Sequence, residues 1–403
     1  SLLFYWNSLS PLEKKLRRGW IHNDFNDYNI LVVPSLVGSP NFGLIDFGDM
    51  THSYLVADPA IACAYAMLEK SDPLDVAFHF IRGFHSSLPL EEIEIEVLFP
   101  MIIMRLCLSV TIGAFQQQND PENKYLGISQ KPVRELLMEL QNVNHKYVQY
   151  LIRDACKMEA CNSAQEFSNW QKKANDSFHQ ILGETCVAEK KLVLDLSVGS
   201  SFSAMTENMS IDEQQEYFSK HLKENHADIG IGKYAEVRSF YTSKEFLKNS
   251  LDGEERRTIH LGVDLFKAVG TLIYAPIEGE VIYLRNNKSS LDYGPTVILK
   301  HNPSDGPEFY TLFGHLGREC LNNLYFGQVI ARAEPFAKIG EPWENGGWLP
   351  HVHFQVILDL FDFEGNIIEF YFFVGNQHQK FIGAGHRHSD LLSINIFING
   401  KPL

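Results

Sequence analysis

Apolar and polar positions divide the chain into two regimes. In the first 55 residues, short apolar runs (Ile30-Leu-Val-Val33, then Gly43-Leu-Ile-Asp46) stand between polar and turn-forming positions and predict short strands and loops. From about residue 54 to 183, apolar positions recur three and four apart in Pro59–Leu68, Asp75–Phe84, Glu91–Gln117 and Val133–Cys156. That spacing predicts helices with one buried face. Asn119-Asp-Pro-Glu-Asn123 predicts a turn between two of them. Residues 184 to 230 are mixed and polar, with a helix expected at Asp212–Glu224. After Gly230-Ile-Gly232 the period changes to short β-branched and aromatic runs between Gly, Pro and Asn turns. Thr271–Tyr274, Gly279–Leu284, Thr296–Lys300, Phe309–Phe313 and Val352–Leu358 predict an antiparallel β domain.

A chain of 403 residues exceeds one ordinary domain. The expected fold class is multidomain α+β. Its expected parts are a helical region over 1–160, a connecting helical and mixed segment over 161–230, a β domain over 231–375 and an unplaced tail over 376–403. Asn366–Phe373, near the end of the β domain, is expected as a closing strand, and His386, His388 and Asp390 in the tail read as a polar end. Val97–Phe115 is the most apolar stretch, but it carries Pro100 and Arg105 and follows three glutamates, so a buried core helix is expected over a membrane span.

Composition narrows the function classes. A formal net charge of −15 argues against broad binding to nucleic acid or anionic membranes, which needs basic surface. Six scattered cysteines without a Cys-x-x-Cys pair read as reduced thiols, and the first residues do not have the order of a signal peptide. A cytoplasmic location is the expectation.

The β half carries His260-Leu-Gly-Val-Asp264, Gly314-His315-Leu316 and His351-Val-His353-Phe354. Side chains alternate faces along a strand, so His351 and His353 share one face. A histidine and a carboxylate four apart, joined by a histidine from a distant strand, can hold zinc with one position left open for water. Further histidines nearby would be proton carriers. These pieces resemble the lysostaphin/LytM-like zinc metallopeptidases. Ala275–Val281, Tyr293–Ile298, Tyr310–Leu316, Ile339-Gly340 and Pro350–Phe354 follow in that family's order over about 235–360. The resemblance implies zinc bound by His260, Asp264 and His353, with His315 and His351 orienting water and stabilising the oxyanion during amide hydrolysis.

The first half carries His22-Asn-Asp24-Phe-Asn-Asp-Tyr-Asn29, then Leu44-Ile-Asp46-Phe-Gly-Asp49. Phosphoryl transfer needs a carboxylate for the substrate hydroxyl and oxygen ligands for magnesium. The stretch resembles the C-terminal lobe of aminoglycoside phosphotransferase and choline-kinase-like enzymes over about 10–160. By that resemblance Asp24 is a vestigial catalytic base, and Asn29 and Asp46 are magnesium ligands. Only 21 residues precede His22, so the family's N-terminal lobe, with its phosphate-covering loop and lysine, is missing and phosphotransferase activity is not expected of this chain. The order of modules resembles bacterial kinase–peptidase fusions that continue into a class III aminotransferase domain.

The expected function is therefore zinc-dependent hydrolysis of a peptide or small amide, without nucleic acid or membrane partners. The alternative is a fragment of a small-molecule phosphotransferase whose zinc domain only binds or stabilises.

Overall fold

The computed structural model describes residues 2–34, 41–119, 130–161, 163–174, 177–206, 209–238, 247–250, 253–256, 259–288, 291–361, 397–398 and 401–402. The chain divides into two compact units, Ser1–Ala160 and Cys161–Leu403.

The first unit begins with the helix Leu2–Leu9 and two small hairpin-like pairings. Arg18–Ile21 pairs antiparallel with Thr51–Tyr54, and Ile30–Val33 with Asn41–Leu44. Helices follow at Ala57–Ala66, Pro73–Ser87, Glu92–Asn119, Gln130–Leu140 and His145–Ala155. Asp72 caps the second of these by accepting the Asp75 amide at 3.1 Å, with Pro73 at the first helical position, where its missing N–H costs nothing. The stretch expected as one helix over Val133–Cys156 is two. Asn144 leaves the helical conformation and its side chain accepts the Tyr147 amide at 3.0 Å, so an N-cap restarts the helix at His145.

Glu92–Asn119 is 28 residues long and is apolar enough by length and composition to cross a membrane. Its first half is core of this unit: Ile95, Leu98, Phe99, Ile102, Ile103 and Leu106 are all buried. Its second half exposes Leu108, Ile112 and Phe115.

The second unit is organised on an eight-stranded sheet. The spatial order is Val329–Ile330, Gly279–Asn287, Gly294–His301, Phe309–Gly314, His351–Ile357, Val263–Phe266, Ile229–Gly232 and Lys191–Leu194. Every pairing is antiparallel except the last, Lys191–Leu194 with Ile229–Gly232. The segment 161–230, expected as a connector, thus belongs to the same compact unit as the β region and supplies two of its strands and the helices Ser163–Lys173, Ser201–Thr206 and Ile211–Glu224. Ser210 and Glu213 form a reciprocal capping box at the start of the last helix, and this fixes where it begins. The expected strand Asn366–Phe373 and the cluster His386, His388 and Asp390 lie outside the described residues, as do residues 120–123 of the expected turn.

Candidate metal centre and active site

Strand register assembles the centre. Asp264 on Val263–Phe266 stands directly opposite His353 on His351–Ile357, and His353 is in turn opposite Gly314 of the next strand. Directly opposed residues on antiparallel strands project to the same face, so the carboxylate and the imidazole meet there. His260 comes from the short strand Ile259–His260, which pairs with Glu236–Val237. Gly262 between them has to be glycine, because a Cβ there would lie 2.5 Å from the His353 ring and 2.8 Å from the Phe354 carbonyl oxygen.

His260 Nε2, Asp264 Oδ1 and His353 Nδ1 form a triangle with edges of 3.1, 3.0 and 2.9 Å. All three residues are 2% exposed, which puts any charge among them out of reach of bulk water. His260 Nδ1 donates to the Lys233 carbonyl at 2.9 Å, so in the neutral ring the lone pair of Nε2 faces the Asp264 oxygen. Burial first, and then the charge of Arg238, pulls the His260 pKa down to about 3, so the ring is neutral at pH 7. Burial opposes the charge on Asp264, but the Arg238 guanidinium beside it more than reverses this and holds its pKa well below the ordinary carboxylate value. Two acceptors aimed at one another inside a protein repel unless a cation lies between them.

Two imidazole nitrogens and one carboxylate oxygen are a donor set of zinc, and three corners of a tetrahedron with bonds of about 2.0–2.1 Å lie roughly 3.3–3.4 Å apart. The observed edges are close to that, so the residues present fit a divalent metal of this kind.

His315 and His351 stand beside the triangle with ring centroids 4.3 Å apart. His315 Nδ1 donates to the Asn345 carbonyl at 2.8 Å and His351 Nδ1 to the Leu349 carbonyl at 2.6 Å. Both bonds leave Nε2 as the acceptor; for His351 that atom lies 3.6 Å from Asp264 Oδ1. Burial, reinforced for His315 by its neighbour His351, lowers both pKa values, so both rings are neutral bases at pH 7. His315 has φ 62°, a left-handed backbone that side chains seldom adopt, and its amide is held by the Tyr293 carbonyl at 2.7 Å. All five histidines and carboxylates expected at this centre are therefore in one place.

Two charged residues of the centre carry no sequence signal. Arg238 Nη1 donates to the second oxygen of Asp264 at 2.5 Å, and Arg238 Nε to Glu236 Oε2 at 3.1 Å. The guanidinium thereby turns Oδ1 toward the histidines. It lies 26 residues from Asp264 in sequence, in no recognisable motif.

In the first unit, Asn29 Nδ2 donates to the Asp24 backbone oxygen at 2.9 Å and to Oδ2 at 3.1 Å. Arg105 Nη2, from the long helix, donates to Asp24 Oδ1 at 3.2 Å and to the Tyr65 hydroxyl at 2.8 Å. Asp58 accepts the amides of His22 and Asn23, both at 2.9 Å, and so shapes the loop that carries Asp24. Asp46 sits at φ 61° with its side chain turned to the Gly48 amide. Among the described residues it makes no hydrogen bond to Asp24 or Asn29. Around this loop Trp20, Tyr28, Val33, Phe42 and Phe47 are exposed.

Comparison with known proteins matches each unit separately. Residues 258–361 match peptidase family M23 and residues 3–87 match the phosphotransferase enzyme family. The chain is similar to hydroxylysine kinase from Mus musculus, 36% identical over 142 residues, covering 34% of this chain and 38% of that protein. The corresponding Danio rerio kinase is 38% identical over 28% of this chain and 33% of its own length. The chain thus spans less than two-fifths of the kinases it matches. Among solved structures, the catalytic domain of lysostaphin from Staphylococcus simulans is 24% identical, covering 25% of this chain and 68% of that one, with a TM-score of 0.20. A zinc-containing peptidase from Vibrio cholerae is likewise 24% identical, covering 30% and 35%, with a TM-score of 0.20. The chain therefore joins a phosphotransferase-type segment to an M23 peptidase-type segment.

Proposed function

We propose that the second unit is a zinc-dependent hydrolase of a peptide or small amide bond, with His260, Asp264 and His353 as zinc ligands and His315 and His351 as proton carriers. The observation that carries this reading is the buried triangle of donor atoms with two neutral imidazoles beside it. The match of residues 258–361 to a peptidase family supports it. When bound, zinc polarises a carbonyl oxygen and brings the pKa of a water near neutrality. His315 and His351 hold their Nδ1 protons on backbone carbonyls, so each Nε2 is free of its own proton and can accept one from water. Once protonated, the same Nε2 can donate to the developing oxyanion or to the leaving nitrogen. Arg238 keeps Asp264 ionised and oriented throughout.

The test is zinc content by mass spectrometry of the purified chain and of His353→Ala, followed by an amide substrate screen. About one zinc per chain, lost in the variant, and hydrolysis that chelator abolishes are the expected results. Wild-type protein without zinc would overturn the reading.

A second reading applies to the first unit, on the observation that Asn29 and Arg105 hold the Asp24 carboxylate. It is the acceptor side of a small-molecule phosphotransferase whose nucleotide lobe lies outside this chain, with Asn29 and Asp46 taking magnesium when that lobe is supplied. The similarity to hydroxylysine kinases supports an amino alcohol as the acceptor. The exposed aromatic and aliphatic side chains around the loop fit a surface that another lobe covers. Addition of magnesium, ATP and hydroxylysine to a chain extended with such a lobe should yield ADP, and Asp24→Asn should abolish it. Cys63, Cys107, Cys156, Cys186 and Cys320 are free thiols, which supports a reducing, cytoplasmic location.

A further inference from the structure

The peptidase-family match begins at residue 258, yet the pocket above the metal triangle is built partly by residues far upstream. Leu196, Phe202, Thr206, Gln214 and Phe218 line it, from the strand end after Leu194 and from the helices Ser201–Thr206 and Ile211–Glu224. Aromatic rings run from that wall to the centre. Phe202 meets Phe218 at 6.4 Å between centroids, Phe218 meets Phe266 at 5.0 Å, and Phe266 stacks on His351 at 4.8 Å. Leu194, Leu196, Phe218 and Phe266 form one buried cluster, with Phe202 and Leu349 packed at its margin.

This wall is built into the fold. Gly230 lets it close on the sheet, since a Cβ there would lie 2.8 Å from the Phe218 ring. The Leu196 amide is fixed by Glu236 Oε1 at 2.9 Å, and Glu236 holds Arg238, which holds Asp264. One chain of hydrogen bonds therefore ties the wall to the metal triangle. It also directs the guanidinium of Arg238 at Glu236 and Asp264, and the Thr206 hydroxyl is turned to the Phe202 and Ser203 carbonyls, so apart from Gln214 the wall offers a ligand mostly carbon and ring faces. A charged group entering there would give up hydration for little return, whereas an apolar one gains by burial. The pocket, wall and triangle together, measures about 130 Å³, so a group on the wall has to be compact.

We infer that Leu196, Phe202, Phe218, Phe266 and Leu349 form a specificity subsite for a compact, neutral apolar group, aromatic or branched aliphatic, carried beside the bond that is cut. The substrates are then amides or short peptides with such a group at that position, and a glycine there would leave the subsite empty. This rests on the zinc-hydrolase reading above and adds the substrate class to it.

The test uses two metal-chelating probes, acetohydroxamate and benzohydroxamate, titrated by calorimetry into the zinc-loaded full chain and into Phe202→Ala and Phe202→Trp. Phe202 is only partly buried, so both variants should fold, and zinc content verifies it. The ratio of benzohydroxamate to acetohydroxamate affinity should fall about tenfold in Phe202→Ala, through lost apolar contact, and in Phe202→Trp, through a filled subsite. An unchanged ratio in both variants with zinc retained overturns the subsite and leaves the hydrolase reading standing. A wild-type chain that holds no zinc overturns both.

Discussion

Removing Arg238 separates two functions of one side chain. Its guanidinium is 8% exposed and sits between Glu236 and Asp264, each 3% exposed; the Arg238→Met variant leaves Asp264 without its cation in a dry interior, while Glu236 keeps Lys233 at 3.5 Å. Breaking a buried ion pair from one side typically costs about 3–5 kcal/mol, because the remaining charge has lost both water and partner. Glu236 keeps the Leu196 amide at 2.9 Å, so most of that cost falls on Asp264, whose other oxygen faces the His260 and His353 rings. For a unit of this size each kcal/mol moves the melting temperature by roughly 2–4 °C, so metal-free Arg238→Met should melt roughly 6–20 °C below wild type. A bound divalent cation neutralises Asp264 in place of the guanidinium, so zinc should recover much of that difference. The carboxylate is no longer held in orientation, and zinc affinity should fall roughly 10–100-fold. Thermal melts with chelator and with zinc, beside a competition titration with a chromophoric chelator, measure both quantities. A metal-free variant melting within about 2 °C of wild type and binding zinc equally tightly would show that Arg238 neither neutralises nor positions Asp264.

Three further outcomes are expected. Gly262→Ala forces the His353 ring from its place, so the purified variant should contain little or no zinc by mass spectrometry while far-ultraviolet circular dichroism stays close to wild type. His315→Ala and His351→Ala should each keep zinc and lower turnover of any amide that wild type hydrolyses by roughly 10²–10⁴-fold; loss of zinc in either would move that residue among the ligands. His301 is fully buried between the Glu278 carbonyl at 2.8 Å and the Thr311 hydroxyl at 2.7 Å, and burial lowers its pKa from 6.5 to about 4. The unfolded chain then binds the extra proton first, so the stability that neutral His301 contributes is complete above pH 6.5 and is lost as the pH falls from 6.5 toward 4. Urea titrations at pH 7 and pH 5 should show wild type losing on the order of 2 kcal/mol more than His301→Gln. Parallel losses would refute the assignment.

The make-up of the centre was legible because its residues sit in short local motifs. His260 and Asp264 are four apart with the glycine that makes room for His353 between them, and strand alternation alone puts His351 and His353 on one face. Short β-branched and aromatic runs between turns located four of the eight strands of the sheet, Gly279–Asn287, Gly294–His301, Phe309–Gly314 and His351–Ile357. The Asp24–Asn29 pair was legible for the same reason, since its hydrogen bond spans five residues. Periodicity failed where a polar cap interrupts a continuing apolar pattern: Val133–Cys156 kept its spacing while Asn144 ended one helix and began another.

Other features had no local signature. Arg105 reaches Asp24 across 81 residues, and Arg238 reaches Asp264 across 26. The polar stretch after residue 184 looked like a connector, because its strand Lys191–Leu194 is short and its apolar residues follow no sustained period. Only the parallel pairing with Ile229–Gly232 makes it a sheet edge and brings Phe202 and Phe218 to the pocket over the metal triangle. The sequence by itself determined which imidazole and carboxylate side chains gather at the centre, since residue type and short spacing are local properties. Tertiary structure alone decided what surrounds them, because strand order and long-range packing depend on burial summed over the whole unit, not on neighbours along the chain.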